Sequence, residues 1–410
     1  SLPPGVKLTM DVQIPYNNVE ATATNVALSS PTVETGIELP NTSLYVAPSD
    51  GDVAYICQTL PSHGVRFWRT RDAGQHWAQL PTIFDSSSLG CLLTIDQNNP
   101  LTIIARLLPA RSLAYPPNYY ALVAGATRWQ QLGSAPYSYV PTGAPVSAGD
   151  SAYGYLDALV SVGNTYYAIW TTISPSGAYP IARLFVSTDQ MRSWHEVNLS
   201  ILTHSQEGQA GVTGIQNIWA QPNSGGALLA QTYTGALWIT HDEGAHWQRI
   251  AFSWIPPVSQ LTPSSGAQTV EGSSTTQVWV QQPIAGRPFR ICVLVLNEEG
   301  GPNNGPPLYC SRDSGKTWKL RPQPITPDGI PTVFPTIMLP TGALLAWNLG
   351  TIYLLTGDSG SAQSGHAIGS IPTPSKPNNI LVGQLGVTAT GVTFWQPLDA
   401  QTVYVSQWRV

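Results

Sequence analysis

A chain of 410 residues in which only 10% are charged, with 37 Gly and 36 Pro, has the composition of a turn-rich β protein rather than a helical one. The formal net charge of -5 comes with scattered signs and no basic stripe, which argues against nucleic acid as a partner. No apolar run is long enough to span a membrane, and the first residues, SLPPG, do not have the pattern of a signal peptide.

Seven apolar hairpins follow one another along the chain, each with a turn of Pro, Gly, Asn or Asp between two apolar strands. The first is SLYVAPSDGDVAYIC, at residues 43–57, and the last is TFWQPLDAQTVYVSQW, at residues 393–408. The first strands of these hairpins contain, at equivalent points, Leu44, Leu92, Leu159, Ile218, Val278, Ile337 and Phe394. The average step between these points is about 58 residues, which indicates a repeat architecture.

An eight-residue pattern follows several of these hairpins. It reads TRDAGQHW at 70–77, THDEGAHW at 240–247 and SRDSGKTW at 311–318, with Met191 replacing the Gly in STDQMRSW at 187–194. A strand-like run precedes each copy and a short apolar stretch follows it, so the pattern predicts a hairpin turn. The shared residues are Asp72, Gly74, Trp77, Asp189, Trp194, Asp242, Gly244, Trp247, Asp313, Gly315 and Trp318.

The chemistry of these residues suits a turn. The Asp carboxylate can accept backbone N–H bonds, and Gly supplies the positive φ that other residues resist. The Trp can anchor the turn by packing its indole against the neighbouring sheet. We therefore expect the pattern to be structural rather than catalytic.

On this pattern the chain resembles the Asp-box (BNR) repeat proteins, a β-propeller superfamily. That superfamily includes sialidases, xyloglucan-processing endoglucanases, sortilin-type receptors and photosystem-assembly propellers. In it the box lies on the periphery, away from the central site, so the resemblance implies a fold and leaves the function open.

The resemblance and the hairpin repeat together imply one all-β domain over residues 1–410. We expect a seven-bladed β-propeller of four-stranded antiparallel blades with Asp-box turns, with six blades as the alternative count. The last hairpin ends at the C-terminus without outer strands. Residues 1–30, which include the strand-like VKLTMDVQI, are therefore expected to complete the last blade and close the ring.

The four cysteines fall into two close pairs. Cys57 pairs with Cys91 and Cys292 with Cys310; the second pair lies on what should be successive strands of one hairpin. Two disulfides are the preferred interpretation and would indicate an exported protein, with free buried thiols as the alternative. Metal ligation is disfavoured because neither pair has the close Cys-x-x-Cys spacing of zinc sites.

Three carboxylates lie beside Gly in the loops before successive hairpins: Asp150, Glu207 and Glu271. Their equivalent placement could bring them together on one face, where they would be the candidate catalytic residues. The candidate ligand-binding residues near them are Tyr153, Tyr155, Asp157, Trp219 and Trp279. Rings beside carboxylates suit a sugar; the alternative is that the Trp residues are core and the carboxylates are solvated turn residues.

The sialidase active site does not transfer to this chain. Sialidases grip a carboxylate with three arginines, the first in an Arg-Ile-Pro motif ahead of the first box. Here QIPYN, at residues 13–17, has Ile-Pro without the Arg, and the first arginine is Arg66. No metal is expected from HDEGAH, at residues 241–246, because His241 and His246 are five residues apart in a turn and cannot share a helical face as in His-Glu-x-x-His. No cofactor is expected, because no phosphate loop or dinucleotide fingerprint can be placed on a suitable strand-to-helix element.

Two functions remain open. The preferred one is a non-catalytic, monomeric recognition module, exported or at the cell surface, that presents aromatic-rich loops to a glycan or an extracellular protein. The alternative is a glycoside hydrolase or lyase at the channel mouth, where hydrolysis requires a pair of facing carboxylates.

Overall fold

The computed structural model describes most of the repeat region. The described residues are 42–60, 64–84, 88–109, 118–132, 155–172, 181–197, 213–222, 225–232, 235–251, 276–295, 308–321, 334–348, 351–355, 365–370, 384–389, 391–397 and 403–409. These residues form 28 β-strands and no helix, and all but one of the strand pairings given below are antiparallel. The described part of the chain accordingly contains no helix that could cross a membrane.

The chain divides into two compact units. The terminal unit holds the described residues of Leu2–Ala178, Phe185–His195 and Pro372–Val410, and the middle unit those of Tyr179–Leu184 and Glu196–Ile371. Strands β12 (Ile181–Ser187) and β13 (His195–Glu196), which pair with each other, are divided between the two units.

The terminal unit begins with two complete sheets. The first contains β1 (Thr42–Val46), β2 (Ala54–Leu60), β3 (Gly64–Thr70) and β4 (Ala78–Gln79), with β5 (Ile83–Phe84) also on β3. The second contains β6 (Ser88–Ile95), β7 (Ile103–Pro109), β8 (Asn118–Leu122) and β9 (Gln130–Gln131). The unit also holds the hairpin β10 (Tyr155–Val162) and β11 (Thr165–Thr172), and a last sheet of β26 (Gln384–Thr388), β27 (Gly391–Pro397) and β28 (Val403–Arg409).

The middle unit contains three sheets of four strands. The first has β14 (Thr213–Ala220), β15 (Leu228–Thr232), β16 (Leu237–Thr240) and β17 (Gln248–Arg249). The second has β18 (Thr276–Val280), β19 (Ile291–Val295), β20 (Leu308–Ser311) and β21 (Lys319–Arg321). The third has β22 (Phe334–Met338), β23 (Leu344–Asn348), β24 (Thr351–Leu355) and β25 (Gly365–Ser370), and β14 also pairs in parallel with the start of β12.

The core of each unit lies between successive sheets. In the terminal unit, Tyr55 and Phe67 of the first sheet pack with Ile103 of the second, and Tyr119 of the second packs with Trp170 of β11. In the middle unit, side chains of β15 and β16 pack against β19 in the same manner. Inner strands are therefore covered on both faces, which explains why all five residues of β15 are buried.

The disulfides join the predicted pairs. Cys292 on β19 lies directly opposite Cys310 on β20, with the Cα atoms 4.1 Å apart. Cys57 on β2 is bonded to Cys91 on β6, with the Cα atoms 6.5 Å apart, so this bond joins the first two sheets. The interpretation of the four cysteines as two disulfides is confirmed, and no free thiol remains.

Each eight-residue pattern forms the turn between the third and fourth strands of its sheet. In the copy at 311–318, the Ser311 hydroxyl donates to Asp313 Oδ1 at 2.8 Å and accepts from the Gly315 N–H at 2.8 Å. Asp313 also accepts from the N–H of Thr317 at 2.8 Å and its hydroxyl at 2.6 Å. The hydroxyl and backbone bonds of the turn recur around Asp72, Asp189 and Asp242. The second Asp oxygen accepts from the Ser193 hydroxyl in the Asp189 copy, and it contacts the Nδ1 of His76 or His246 at 2.6 Å in the other two.

The last hairpin differs from the expectation. Phe394 lies on β27, the second strand of its sheet, and β26 precedes it, so the C-terminal part of the chain supplies three strands rather than two. The short QLGVT of β26 was not recognised because its Gly386 and single buried Val leave almost no apolar alternation. Residues 1–30, expected to complete this sheet, lie outside the described residues.

Candidate functional site

One cavity in the terminal unit is bounded by the first strands of four sheets. It has a volume of about 450 Å³, and its walls come from β1, β6, β10 and β26, with Ile104 and Arg106 of β7 behind β6. Concave sites of this size, with apolar walls and a few convergent polar groups, are the usual form of a ligand pocket. The polar and charged lining residues are Tyr45, Thr94, Gln97, Arg106, Asp157 and Gln384.

Asp157 reaches the cavity because β10 carries a β-bulge. Leu156 pairs with Trp170 and Ala158 pairs with Ile169, so Asp157 is an extra residue with no partner in the strand ladder. A bulge re-aims a side chain away from the alternation of the strand. Asp157 is exposed, and it is the predicted ligand-binding residue that lines the cavity.

Arg106 places a positive charge in the same wall. In the strand register, Arg106 of β7 lies opposite Leu92 of β6 on one side and opposite Tyr119 of β8 on the other. Burial raises the pKa of Tyr119 to about 12, while the positive charge of Arg106 lowers it and the negative charge of Asp157 raises it. Both charges therefore act on one phenol, and a ligand in the cavity would meet a cation, an anion and the 44% exposed Leu92.

Two side chains fix the walls of the cavity. The Tyr45 hydroxyl donates to the carbonyl of Cys91 at 3.0 Å, and burial of the ring raises the pKa of Tyr45. The amide of Gln384 accepts from the Val46 N–H at 2.9 Å and donates to the Leu44 carbonyl at 2.7 Å. These bonds tie β1 to β6 and to β26, so the site is built on strands rather than on free loops.

Four of the predicted site residues, Asp150, Tyr153, Glu207 and Glu271, lie outside the described residues. Tyr155 is the first residue of β10.

The two predicted tryptophans lie on first strands of the middle unit. Trp219 on β14 is partly buried against the cluster that contains Ile291 and Val293. Trp279 on β18 is partly buried against the cluster that contains Cys292 and Leu294. Their described contacts are thus with core side chains between successive sheets.

Sequence reasoning missed Arg106, Tyr45 and Gln384. One signal was present for the arginine, because Arg106 interrupts the apolar run IIARLL of a strand that is otherwise buried. Tyr45 and Gln384 carried no such signal, since their roles depend on contacts across 46 and 338 residues of sequence.

The arrangement suits binding through complementary polar contacts. A guanidinium and a carboxylate can together donate to and accept from the hydroxyls or amides of one ligand. Asp157 is the one carboxylate among the described lining residues, so a hydrolytic pair would need a second carboxylate from the residues not described. The described residues contain no group of three or more His, Cys, Asp or Glu that could hold a metal ion.

No family model matches the sequence, and no curated protein matches it. Among solved structures, an ancestral GH74 enzyme is 13% identical with a TM-score of 0.42, over 90% of this chain and 49% of that one, so the chain spans about half its length. YCF48 from Cyanidioschyzon merolae is 12% identical with a TM-score of 0.39, over 88% and 93% of the two chains. Polysaccharide lyase Uly1 is 10% identical with a TM-score of 0.41, over 93% and 94%. These likenesses assign neither a family nor a function.

Proposed function

We propose that this chain is an exported recognition module that binds a glycan or an extracellular protein in the cavity lined by Asp157 and Arg106. The observation that carries the proposal is the convergence of the two opposite charges and the exposed Leu92 in a concavity of about 450 Å³. Two disulfides favour an oxidising compartment.

The same proposal includes a seven-bladed propeller of the Asp-box type. Seven antiparallel meanders, beginning at β1, β6, β10, β14, β18, β22 and β26, support it. The contacts between β1 and β26 support closure of the ring, with residues 1–30 as the source of the fourth strand of the last blade. A closed ring leaves no long sheet edge open to aggregation.

A glycan fits the chemistry of the cavity walls. Sugar hydroxyls can accept from the Arg106 guanidinium and donate to the Asp157 carboxylate, while the apolar face of a sugar ring can rest on Leu92. A protein partner would meet the same groups through its backbone amides and side chains. We favour the glycan because the polar groups sit in a concavity rather than on a flat surface.

The test is a glycan-array binding screen, with the same glycan pools incubated with the protein and examined for cleavage products. The variants Asp157→Asn and Arg106→Gln should each weaken binding about tenfold or more, since a charged hydrogen bond is lost. Arg249→Gln, the same charge removal at an exposed position of β17, is the control and should bind as the wild type does. Unchanged binding in both cavity variants would show that the ligand site lies elsewhere.

The alternative function is a glycoside hydrolase, which requires two facing carboxylates. Its candidate carboxylates are Asp150, Glu207 and Glu271, which lie outside the described residues. Cleavage products that disappear with Glu207→Gln or Glu271→Gln would establish the hydrolase. Binding without products would establish the recognition module.

A further inference from the structure

A second, smaller cavity lies in the middle unit at the turn between β18 and β19. Its volume is about 80 Å³, and its walls include Arg287, Arg290, Gln281, Pro283 and Pro340. The described lining contributes two positive charges and no carboxylate. This is the reverse of the chain as a whole, in which Asp and Glu outnumber Lys and Arg by 23 to 18.

Neither arginine is ion-paired within the described part of the chain. One Nη of Arg290 donates to the carbonyl of Thr341 at 3.3 Å, and the Arg287 guanidinium makes no hydrogen bond or ion pair there. Two cations that face one small cavity repel each other unless an anion lies between them. The pair therefore has unused donors and a charge that a ligand could neutralise.

The backbone holds both arginines in position. The side-chain amide of Gln221 donates to the carbonyl of Arg287, whose N–H donates to Ile284 at 3.1 Å. The carbonyl of Arg290 accepts from the Gln281 N–H at 3.0 Å. The turn is thus fixed by its main chain, which leaves most guanidinium N–H groups available.

Gly342 leaves space for the Arg290 side chain. A Cβ atom at this position would lie 3.1 Å from one Nη of Arg290, closer than ordinary van der Waals contact. The Thr341 carbonyl and the glycine thus hold one side of the Arg290 guanidinium, while Pro340 of the same turn lines the pocket. The site is built by the β18–β19 turn together with the β22–β23 turn.

We propose that this arginine pocket, formed by Arg287 and Arg290 between the β18–β19 and β22–β23 turns, binds a small oxyanion: a carboxylate or sulfate group. Arginine presents planar, paired N–H donors that match the oxygens of such groups. A volume of about 80 Å³ is that of two or three water molecules, so it admits one anionic group and not a sugar ring. The site is separate from the Asp157 cavity and does not depend on the function proposed for it.

The experiment is isothermal titration calorimetry at low ionic strength, where screening is weak. The probes are sodium sulfate, sodium galacturonate and, as the neutral control, galactose. We expect sulfate or galacturonate to bind and galactose not to bind. Arg287→Gln and Arg290→Gln should each weaken the affinity about tenfold, because a charge-assisted hydrogen bond is lost.

The control variant is Lys319→Gln, which removes one positive charge from an exposed residue of the same unit. It should leave the affinity unchanged, because its charge lies outside the pocket. If Arg290→Gln does not fold, Arg290→Lys, which keeps the charge, replaces it as the test variant. It should bind the anion more weakly than the wild type because the paired N–H donors of the guanidinium are gone.

The outcomes separate the sources of the anion. Binding heat with sulfate but not with galacturonate would show that the pocket prefers a sulfate group. Binding heat with galacturonate but not with sulfate would show that it prefers a carboxylate. A sulfated disaccharide that binds more tightly than inorganic sulfate indicates an anionic polysaccharide as the source, and equal affinities indicate the free ion. No heat with either anion, or an unchanged affinity in both glutamine variants, would overturn the proposal whether or not the Asp157 cavity binds a glycan.

Discussion

At the scale of single residues, two kinds of aspartate in this chain have opposite pKa shifts. Hydrogen bonds from the Ser193 side chain and backbone lower the pKa of Asp189 to about 2. In Asp313 partial burial raises the pKa, and bonds from Thr317 and Ser311 outweigh it and lower the pKa overall. Asp96 is the reverse case, because burial raises its pKa to about 6 despite bonds from Ser161, Asn98 and Asn99.

The raised pKa of Asp96 follows from its place between two sheets. It directly follows β6 and is fully buried, and its Oδ1 accepts the N–H groups of Asn98 at 2.9 Å, Asn99 at 3.2 Å and Ser161 at 3.0 Å. The residue therefore joins the β6–β7 turn to β10, next to the Asp157 cavity. The neighbouring phenol of Tyr166 has a raised pKa, through its own burial first and the charge of Asp96 second.

The prediction is that Asp96 makes the protein less stable as pH rises. Its pKa is raised from 3.8 to about 6, so the folded state holds the proton more tightly than the unfolded state. Its contribution is full below about pH 4 and is lost as pH rises through about 6, a change on the order of 3 kcal/mol. Asp96→Asn keeps an acceptor oxygen without the charge. Urea unfolding should therefore show the variant gaining stability relative to the wild type between about pH 4 and about pH 7.

Asp313→Asn is the control with the opposite sign. Its lowered pKa means that the carboxylate contributes stability above about pH 4, which is lost as pH falls. The variant should therefore be less stable than the wild type at neutral pH, and the difference should shrink in acid. A pH-independent difference for Asp96→Asn would contradict the assignment of the raised pKa to this residue.

Asp157 could be predicted from the sequence as a candidate ligand-binding residue, but its bulge could not. The pattern YGYLD placed an aromatic and a carboxylate at the start of a strand, whereas the bulge depends on how Leu156 and Ala158 pair with β11. Arg106 could have been suspected from its place in an apolar run. Its neighbour Asp157 lies on another sheet, and one sequence does not reveal which sheets are adjacent.

At the scale of elements, the Asp-box turns at 240–247 and 311–318 pack against the residue that ends the preceding sheet. A Cβ atom on Gly244 would lie 2.9 Å from Val197, the residue after β13. A Cβ atom on Gly315 would lie 2.4 Å from Ile250, the residue after β17. In these two cases the residue after the short fourth strand fills the space beside the next box, and its N–H donates to the carbonyl of a residue on the third strand, Leu184 or Leu237.

In the copy at 187–194, Met191 occupies the position that glycine has in the other three boxes. Met191 has a φ of 65° and is fully buried with Tyr119 and Trp170. A methionine there costs about 1 kcal/mol or more of backbone strain. Burial of its flexible side chain recovers roughly 1.5–3 kcal/mol, which explains how the turn forms without glycine.

The second prediction compares two glycines with nearly the same φ. Gly315 has a φ of 84° and contacts Ile250, whereas Gly125 has a φ of 83° in the β8–β9 turn with nothing within 4 Å of its Cβ position. Gly125→Ala should cost only the backbone strain, about 1 kcal/mol. Gly315→Ala should cost about 1–3 kcal/mol more, because the methyl group overpacks the contact with Ile250. Thermal and urea unfolding of the two variants measure the difference.

Equal costs for the two variants would contradict the packing of the box against the preceding sheet. A further variant, Gly315→Ala with Ile250→Val, should recover part of the loss, because the valine removes one methyl group from the crowded contact. Recovery in the double variant and none in Ile250→Val alone would localise the effect to this pair.

The strands were largely predictable, and the last sheet marks the limit. Hairpins with strong apolar alternation, such as SLYVAPSDGDVAYIC, appear as β1 and β2. The run QLGVT of β26 has too few apolar residues to be recognised, and its position is set instead by contacts with β1 and with the turn that follows β1. Gly386 is one of these contacts, since a Cβ there would lie 2.4 Å from the Cα of Gly51.

At the scale of the whole molecule, the most distant described parts of the sequence meet in the terminal unit. The Gly51 N–H donates to Val387 at 2.7 Å, and the Val387 N–H donates to Pro48 at 2.9 Å. The Thr393 hydroxyl donates to Asp52 at 3.0 Å. We call the contact between the β1–β2 turn and the last sheet the seam. Because nearly the whole chain lies between these partners, forming the seam has a large loop-closure entropy cost, and the packing at the seam must exceed that cost.

Trp395 is a central part of that packing. It is fully buried, its Nε1 donates to the carbonyl of Gly51 at 2.8 Å, and its ring packs edge-on against Trp77 with centroids 6.2 Å apart. The ring also lies against Gly74 of the first box, where a Cβ atom would be 3.3 Å away. One side chain thus joins the last sheet to the first turn and the first box.

The last prediction is that Trp395→Ala opens this seam. The loss should be about 3–5 kcal/mol, the usual cost of removing a buried tryptophan. Hydrogen exchange at the amides of Gly51 and Val387 should accelerate before that of the other strands, because these amides bond across the seam. Trp170→Ala, an equally buried tryptophan of β11 that packs with Tyr119, is the matched control. It should cost a similar free energy while leaving exchange at Gly51 and Val387 slower than in Trp395→Ala; equal acceleration at both amides in the two variants would show that the seam has no independent stability.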